Sequence, residues 1–198
     1  MMTHPFAKIP LEKRKPVFLT ALVASLALMV TLGVLGEPLK EKDENKPVKD
    51  LVAPGGIMSF EFAKTPDNAQ KIIDYWGKAG VRQQAINHFF IDYLYLITYP
   101  ISIGMTCVGV AFLLREKSLA FLAHLGGWLA WGQLIAGLCD AIENALLLTM
   151  LVQVSANASM TTSRILTIIK FALVIAGLLY VYIGAIILGA QKFIATRD

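Results

Sequence analysis

Four long apolar runs, at 17–36, 81–114, 119–152 and 163–191, limit what this chain can fold into more than any other feature of it. Each reaches the roughly 20 residues that a helix rising about 1.5 Å per residue needs to cross a hydrocarbon core of about 30 Å. Nearly all charge lies between the runs. With 56% hydrophobic residues and a mean hydropathy of +0.61, the composition suits lipid as the solvent for most of the chain. The expected fold class is all-α: an integral membrane four-helix bundle with an outer amphipathic interfacial helix.

Flanking charges orient the spans. Segment 1–16 carries Lys8, Lys13, Arg14 and Lys15 against Glu12 directly before the first run, which marks a cytoplasmic tail by the positive-inside rule. The apolar region of a signal peptide is about 7–15 residues, and the run at 17–36 exceeds it without a clean A-x-A site, so TM helix 1 reads as an uncleaved anchor. Arg115, Glu116 and Lys117 end span two in the cytoplasm, and Lys192 and Arg197 end span four there, in the tail 192–198. Both termini are expected inside, with residues 37–86 and 153–163 on the outer side. The net charge of +4 belongs to these topology signals and points to no nucleic acid.

The segment 37–59 is charged, poor in apolar residues and closed by Pro54, Gly55 and Gly56, a composition expected of a mobile or loosely draped outer linker. An ordered segment, 60–80, follows. Thr65, Pro66 and Asp67 are a helix-start signal, and Gly77 and Gly80 are stop signals. Between them Ala69, Ile72, Ile73 and Trp76 fall at i, i+3, i+4 and i+7, one apolar stripe on a helix too short to cross the membrane. It is expected to lie flat over the outer end of the bundle.

The polar residues inside the spans are the candidates for function. Ionisable groups at a helix centre cost about 2.5–3.5 kcal/mol each on insertion scales, so they mark a site by default. Span two brings His88, Asp92, Tyr95 and Tyr99 along one face, and its Pro100 is expected to kink the helix. Span three reads GQLIAGLCDAIEN from Gly132 to Asn144. Gly132, Ala136, Asp140 and Asn144 recur every fourth place with Gln133 and Gly137 beside them, so the acids share the face on which small residues let helices approach. Span four adds Lys170, with Gly177, Gly184, Ala185 and Gly189 farther along. At 1.5 Å per residue, Asp92, Glu143 and Lys170 lie about 6–12 Å inside the outer boundary and Asp140 about 16 Å inside it.

Three readings fit this polar cluster of His88, Asp92, Tyr95, Tyr99, Gln133, Asp140, Glu143, Asn144 and Lys170. In the first, Lys170 forms a salt bridge to Glu143 or Asp92, Asn144 and Gln133 satisfy the remaining lone pairs, and the cluster holds the bundle in register. In the second, a binding pocket takes a lipid-like amphiphile through these few polar contacts. In the third, three acids facing one lysine leave either a carboxyl protonated or a cation to compensate. Asp140 or Glu143, the catalytic candidates, would then shuttle a proton in an isomerase-like membrane enzyme, or the protein would couple to proton or cation transport. The partners expected are membrane lipids, a lipid-like ligand and partner subunits within the membrane.

No cofactor is implied. His88 and His124 sit toward opposite ends of their spans and cannot share a haem, His4 lies in the tail, and no spacing suggests zinc or another metal. P-loop, GxGxxG and GxSxG motifs are absent. Cys107 and Cys139 differ by about 10 Å in depth, too far for a disulfide. Asn157-Ala158-Ser159 is a glycosylation sequon in the outer loop, relevant only in a secretory-pathway host. The halves of the chain show no convincing repeat of the inverted-transporter kind. In layout, the chain is similar to the emopamil-binding and sigma-2-type family, small four-helix membrane proteins whose intramembrane acids handle sterol-like amphiphiles. The similarity is one of architecture, and the long outer linker departs from it.

Overall fold

A computed structural model describes residues 4–43, 45 and 47–195, and resolves each apolar run into one long helix. These are α1 (Leu11–Gly36), α4 (Arg82–Glu116), α5 (Ala120–Gln153) and α6 (Ser159–Ala195), with two shorter helices, α2 (Ile57–Glu61) and α3 (Pro66–Lys78), between α1 and α4. The fold is an all-α four-helix bundle with no strand among the described residues, and the four long helices are long and apolar enough to cross a membrane. Of the tail expected at 192–198, Arg197 lies outside the described residues. Helix α4 runs through Pro100 without a break.

Helix ends follow local chemistry. The Thr65 hydroxyl caps α3 by accepting the Asn68 N–H at 3.2 Å, with Pro66 in the first turn. Gly80, at φ 73°, closes α3 with the Val81 N–H reaching back to the Trp76 carbonyl, a six-to-one bond that needs a left-handed residue. The same closure ends α4 at Ser118 and α5 at Val154, with Leu119 bonded to Leu114 and Ser155 to Met150.

The chain divides into two units. The first comprises Met1–Ser25, Ile97–Gly137 and Lys170–Asp198. Its core is Cys107, Leu114, Ala130 and Tyr180, and small residues let the helices close: Gly126 lies against the Tyr180 ring, Gly177 against Gln133 and Gly184 against Val110. Gly189, part of the same expected seam, faces open space. The amino-terminal segment is folded onto this unit. Pro5–Lys8 form a 3-10 turn, Arg14 donates to the Ala7 and Ile9 carbonyls, and Phe6 packs so closely on Gly104 that a Cβ there would lie 2.6 Å from its ring. His4, expected in an open tail, is only 1% exposed between the rings of Phe6 and Trp131.

The second unit comprises Leu26–Leu96 and Leu138–Ile169. Its apolar core joins the α3 stripe, Ala69, Ile72, Ile73 and Trp76, to Leu39, Phe60 and Phe89 and to Leu147, Met150, Leu151 and Met160. Described parts of the stretch expected as a mobile linker are held within it. The Glu41 carboxylate accepts the Val52 and Ala53 N–H groups, the Glu41 N–H donates to the Ala53 carbonyl at 2.9 Å, and the Trp76 indole donates to the Leu39 carbonyl at 2.8 Å. One buried carboxylate and one indole thus do what the composition could not, by fixing backbone that has little apolar surface to bury.

Candidate functional site

Helix α5 decides where the acids point. Asp140, Glu143, Asn144, Leu147, Met150 and Leu151 recur at three- and four-residue spacings and are all buried, while Leu138 and Ile142 on the opposite face are 62% and 45% exposed. Two carboxyls and an amide therefore occupy positions of the same stripe that Leu and Met fill farther along.

Hydrogen bonds carry the stripe onto its neighbours. Asn144 Nδ2 donates to Asp92 Oδ2 at 2.6 Å, joining α5 to α4. Thr167 on α6 stands with its Oγ1 2.7 Å from Glu143 Oε1, 3.0 Å from the Ser163 carbonyl and 3.4 Å from the Glu61 carbonyl. The Tyr93 hydroxyl donates to the Ala141 carbonyl at 3.3 Å, a second link between α4 and α5. Together these make a polar row, Asp92, Asn144, Glu143, Thr167 and Glu61, that runs across α4, α5 and α6 to the last residue of α2. His88, one turn before Asp92, is buried with its ring beside Gly36, 3.5 Å from the place a Cβ would take. Compared with known protein families, curated proteins and solved structures, the chain matches none.

Two oxygens and one nitrogen in or beside this row are unused. Asn144 Oδ1, Ser163 Oγ and His88 Nδ1 are buried and make no hydrogen bond. Among the described residues Lys170 is the one buried lysine or arginine, against the buried carboxyls of Glu41, Glu61, Asp140 and Glu143. No three His, Cys, Asp or Glu groups among those residues are grouped so as to hold a metal ion.

Of the residues singled out in the sequence, the structure brings Asp92, Glu143 and Asn144 into the row, with Asp140 one turn away on α5 and His88 one turn away on α4. Tyr95 is half-buried on α4. Tyr99, Gln133 and Lys170 are buried members of the first unit, where the Gln133 amide donates to the Leu173 carbonyl at 2.8 Å. Sequence reasoning missed Glu61, Tyr93, Ser163 and Thr167. The hydroxyls had a readable signal, since Ser163, Thr167 and Lys170 fall at i, i+4 and i+7 of one helix. Glu61 had none, because a five-residue helix is too short to show a period.

Proposed function

We propose that this chain is an integral membrane protein that crosses the bilayer four times, with both termini cytoplasmic and residues 37–86 and 153–163 on the outer side. In this reading it is a non-catalytic accessory or scaffold element, and the polar row locks α4, α5 and α6 in register beneath the segment that contains α2 and α3. The observation that carries the reading is the pair of bonds from Asn144 to Asp92 and from Thr167 to Glu143, since each joins two different long helices. Interhelical hydrogen bonds in membrane proteins average about 0.6 kcal/mol, but stripping a buried group of its partner costs about 1–3 kcal/mol. The row therefore matters most as a penalty on wrong registers.

Melting of the purified protein in mild detergent tests the lock. Asn144→Ala and Thr167→Val are expected to lower Tm by about 2–8 °C each. Unchanged melting of both variants would sink the reading. Topology is checked by adding cysteines at Asp43 and Asn157, which a membrane-impermeant maleimide should label from outside in intact cells. Labelling only after lysis would reverse the orientation.

The unused oxygens favour a second reading, in which the row contacts the polar end of a lipid-like amphiphile. Mass spectrometry of co-purifying lipids for wild type, Asp140→Asn and Glu143→Gln separates the two. A selected lipid lost in either variant supports the ligand, and the same unselective mixture in all three supports the lock.

A further inference from the structure

We propose that segment 4–10 is an acid-released latch: it folds back along the first unit, seats Phe6 against Gly104 of α4 and His4 against α5, and lets go when His4 takes up a proton. The latch is independent of the polar row, because every part of it lies in the first unit. At about 1.5 Å per residue, Gly104 is about 18 Å from the Glu116 end of α4, and Ala130 about 15 Å from the Ala120 start of α5. A tail that was merely tethered would stay at those ends, beside Arg115 and Lys117. This one climbs well along both helices instead.

The segment arrives with much of its backbone already satisfied. The Ala7 N–H donates to the His4 carbonyl at 3.0 Å and the Ile9 N–H to the Phe6 carbonyl at 3.4 Å, while Pro5 and Pro10 have no N–H to satisfy. Arg14 gives Nη2 to the Ala7 carbonyl at 2.7 Å and Nε to the Ile9 carbonyl at 2.8 Å, and the Pro10 carbonyl takes the Lys13 and Arg14 N–H groups. A stretch served in this way leaves water at little cost. Its side chains do the holding. His4 is 1% exposed and Phe6 9%, and Phe6 fits because residue 104 is glycine, where a Cβ would lie 2.6 Å from the ring.

His4 is the release. The Phe6 N–H donates to its Nδ1 at 3.1 Å, and a backbone N–H can only donate, so Nδ1 is the bare nitrogen of a neutral imidazole and the proton sits on Nε2. Nε2 is buried beside the Ala130 backbone. A second proton lands on Nδ1, sets two N–H groups against each other and removes the cap of the Pro5–Lys8 turn. It also leaves a cation between the Phe6 and Trp131 rings, whose centroids are 4.7 and 4.8 Å away. What the two rings return to a cation is less than the water it gives up. Burial and the Ala130 backbone act on the imidazole, and no charged side chain does. Arg14 is committed to its carbonyls, and Lys8, Glu12, Lys13 and Lys15 are exposed.

The test is the mobility of a nitroxide on Lys8→Cys in the full chain in mild detergent, where Cys107 and Cys139 are buried and stay unlabelled. Because the docked imidazole is held below its ordinary range, docking is at full strength above about pH 6.5 and weakens as pH falls. The ratio of released to docked segment should rise about tenfold per pH unit below that point, until the folded value of His4 is reached. His4→Asn keeps a capping oxygen without a titrating ring and should stay docked at acid pH. Gly104→Ala drives a Cβ into Phe6 and should free the label at every pH, whereas Gly109→Ala, which meets nothing within 4 Å, should behave as wild type. Equal mobility at alkaline and acid pH in wild type overturns the proposal, and so does a pH response that survives in His4→Asn. If His4→Asn is already released at alkaline pH, the imidazole nitrogen NMR signals of wild type decide. A bare Nδ1 whose protonation tracks release supports the latch, and protonation that does not track it overturns the latch.

Discussion

Single positions in this chain carry strain and titration that composition does not reveal. Val154 closes α5 at φ 54°, where a left-handed backbone costs a β-branched residue about 1–2 kcal/mol. Glycine removes that cost but loses about 0.5–1 kcal/mol in chain entropy, so Val154→Gly is expected to raise Tm by a degree or more in a detergent melt. His4 makes a pH-dependent contact. Burial holds its imidazole below the usual histidine range, and a hydrogen bond with the Ala130 backbone offsets this in part. Its folded value is depressed, so the amino-terminal turn docks at full strength above the ordinary value of about 6.5 and loosens as pH falls below it. Exchange protection of residues 4–9, taken relative to the intrinsic rate at each pH, should fall at acid pH in wild type and not in His4→Phe. Packing makes the third case. Gly177→Ala drives a Cβ into Gln133, at a cost of about 1–3 kcal/mol, whereas Gly33→Ala meets nothing within 4 Å and gains up to about 1 kcal/mol of helix propensity. The two variants should shift Tm in opposite directions.

Among the elements, the long helices were the most legible, because each apolar run of 20 or more residues lies in one helix long and apolar enough to cross a membrane. Helix α3 was legible for a different reason, since capping residues bracket a four-position stripe and all four positions are buried. Trp76 shows what the stripe does: its ring packs edge-on against Phe60 at 5.4 Å while its N–H reaches Leu39. Trp76→Ala should cost about 3–5 kcal/mol and Trp76→Phe, which keeps most of the volume, nearer 1–2, read from chemical denaturation. The stretch between α1 and α3 was illegible because its order comes from Glu41, Leu39 and Gly56 meeting partners distant in sequence. Gly56, at φ 59°, fits beneath the Gly36 carbonyl, a contact that no local pattern announces. Half of the candidate site was illegible in the same sense. Acids stand out singly in an apolar run, whereas a hydroxyl such as Thr167 shows only through its spacing from Ser163 and Lys170, although here it joins two helices.

For the molecule as a whole, both cysteines are free and buried, Cys107 in the first unit and Cys139 in the second. Maleimide should leave the native protein unmodified and add two labels on unfolding, so thiol labelling reads the opening of each unit separately when one cysteine is replaced by alanine. The core of the second unit also imposes an order on biogenesis. The α3 stripe is made early, but Leu147, Met150, Leu151 and Met160, which cover part of that core, are made roughly 70 residues later. At about 5–20 residues per second, Trp76 waits some 4–14 s for them. During that interval a ribosome-bound chain has the α3 stripe covered only by earlier core residues such as Leu39 and Phe60, and a stall before α5 is complete would hand quality control the part of that surface that Leu147, Met150, Leu151 and Met160 cover in the finished protein.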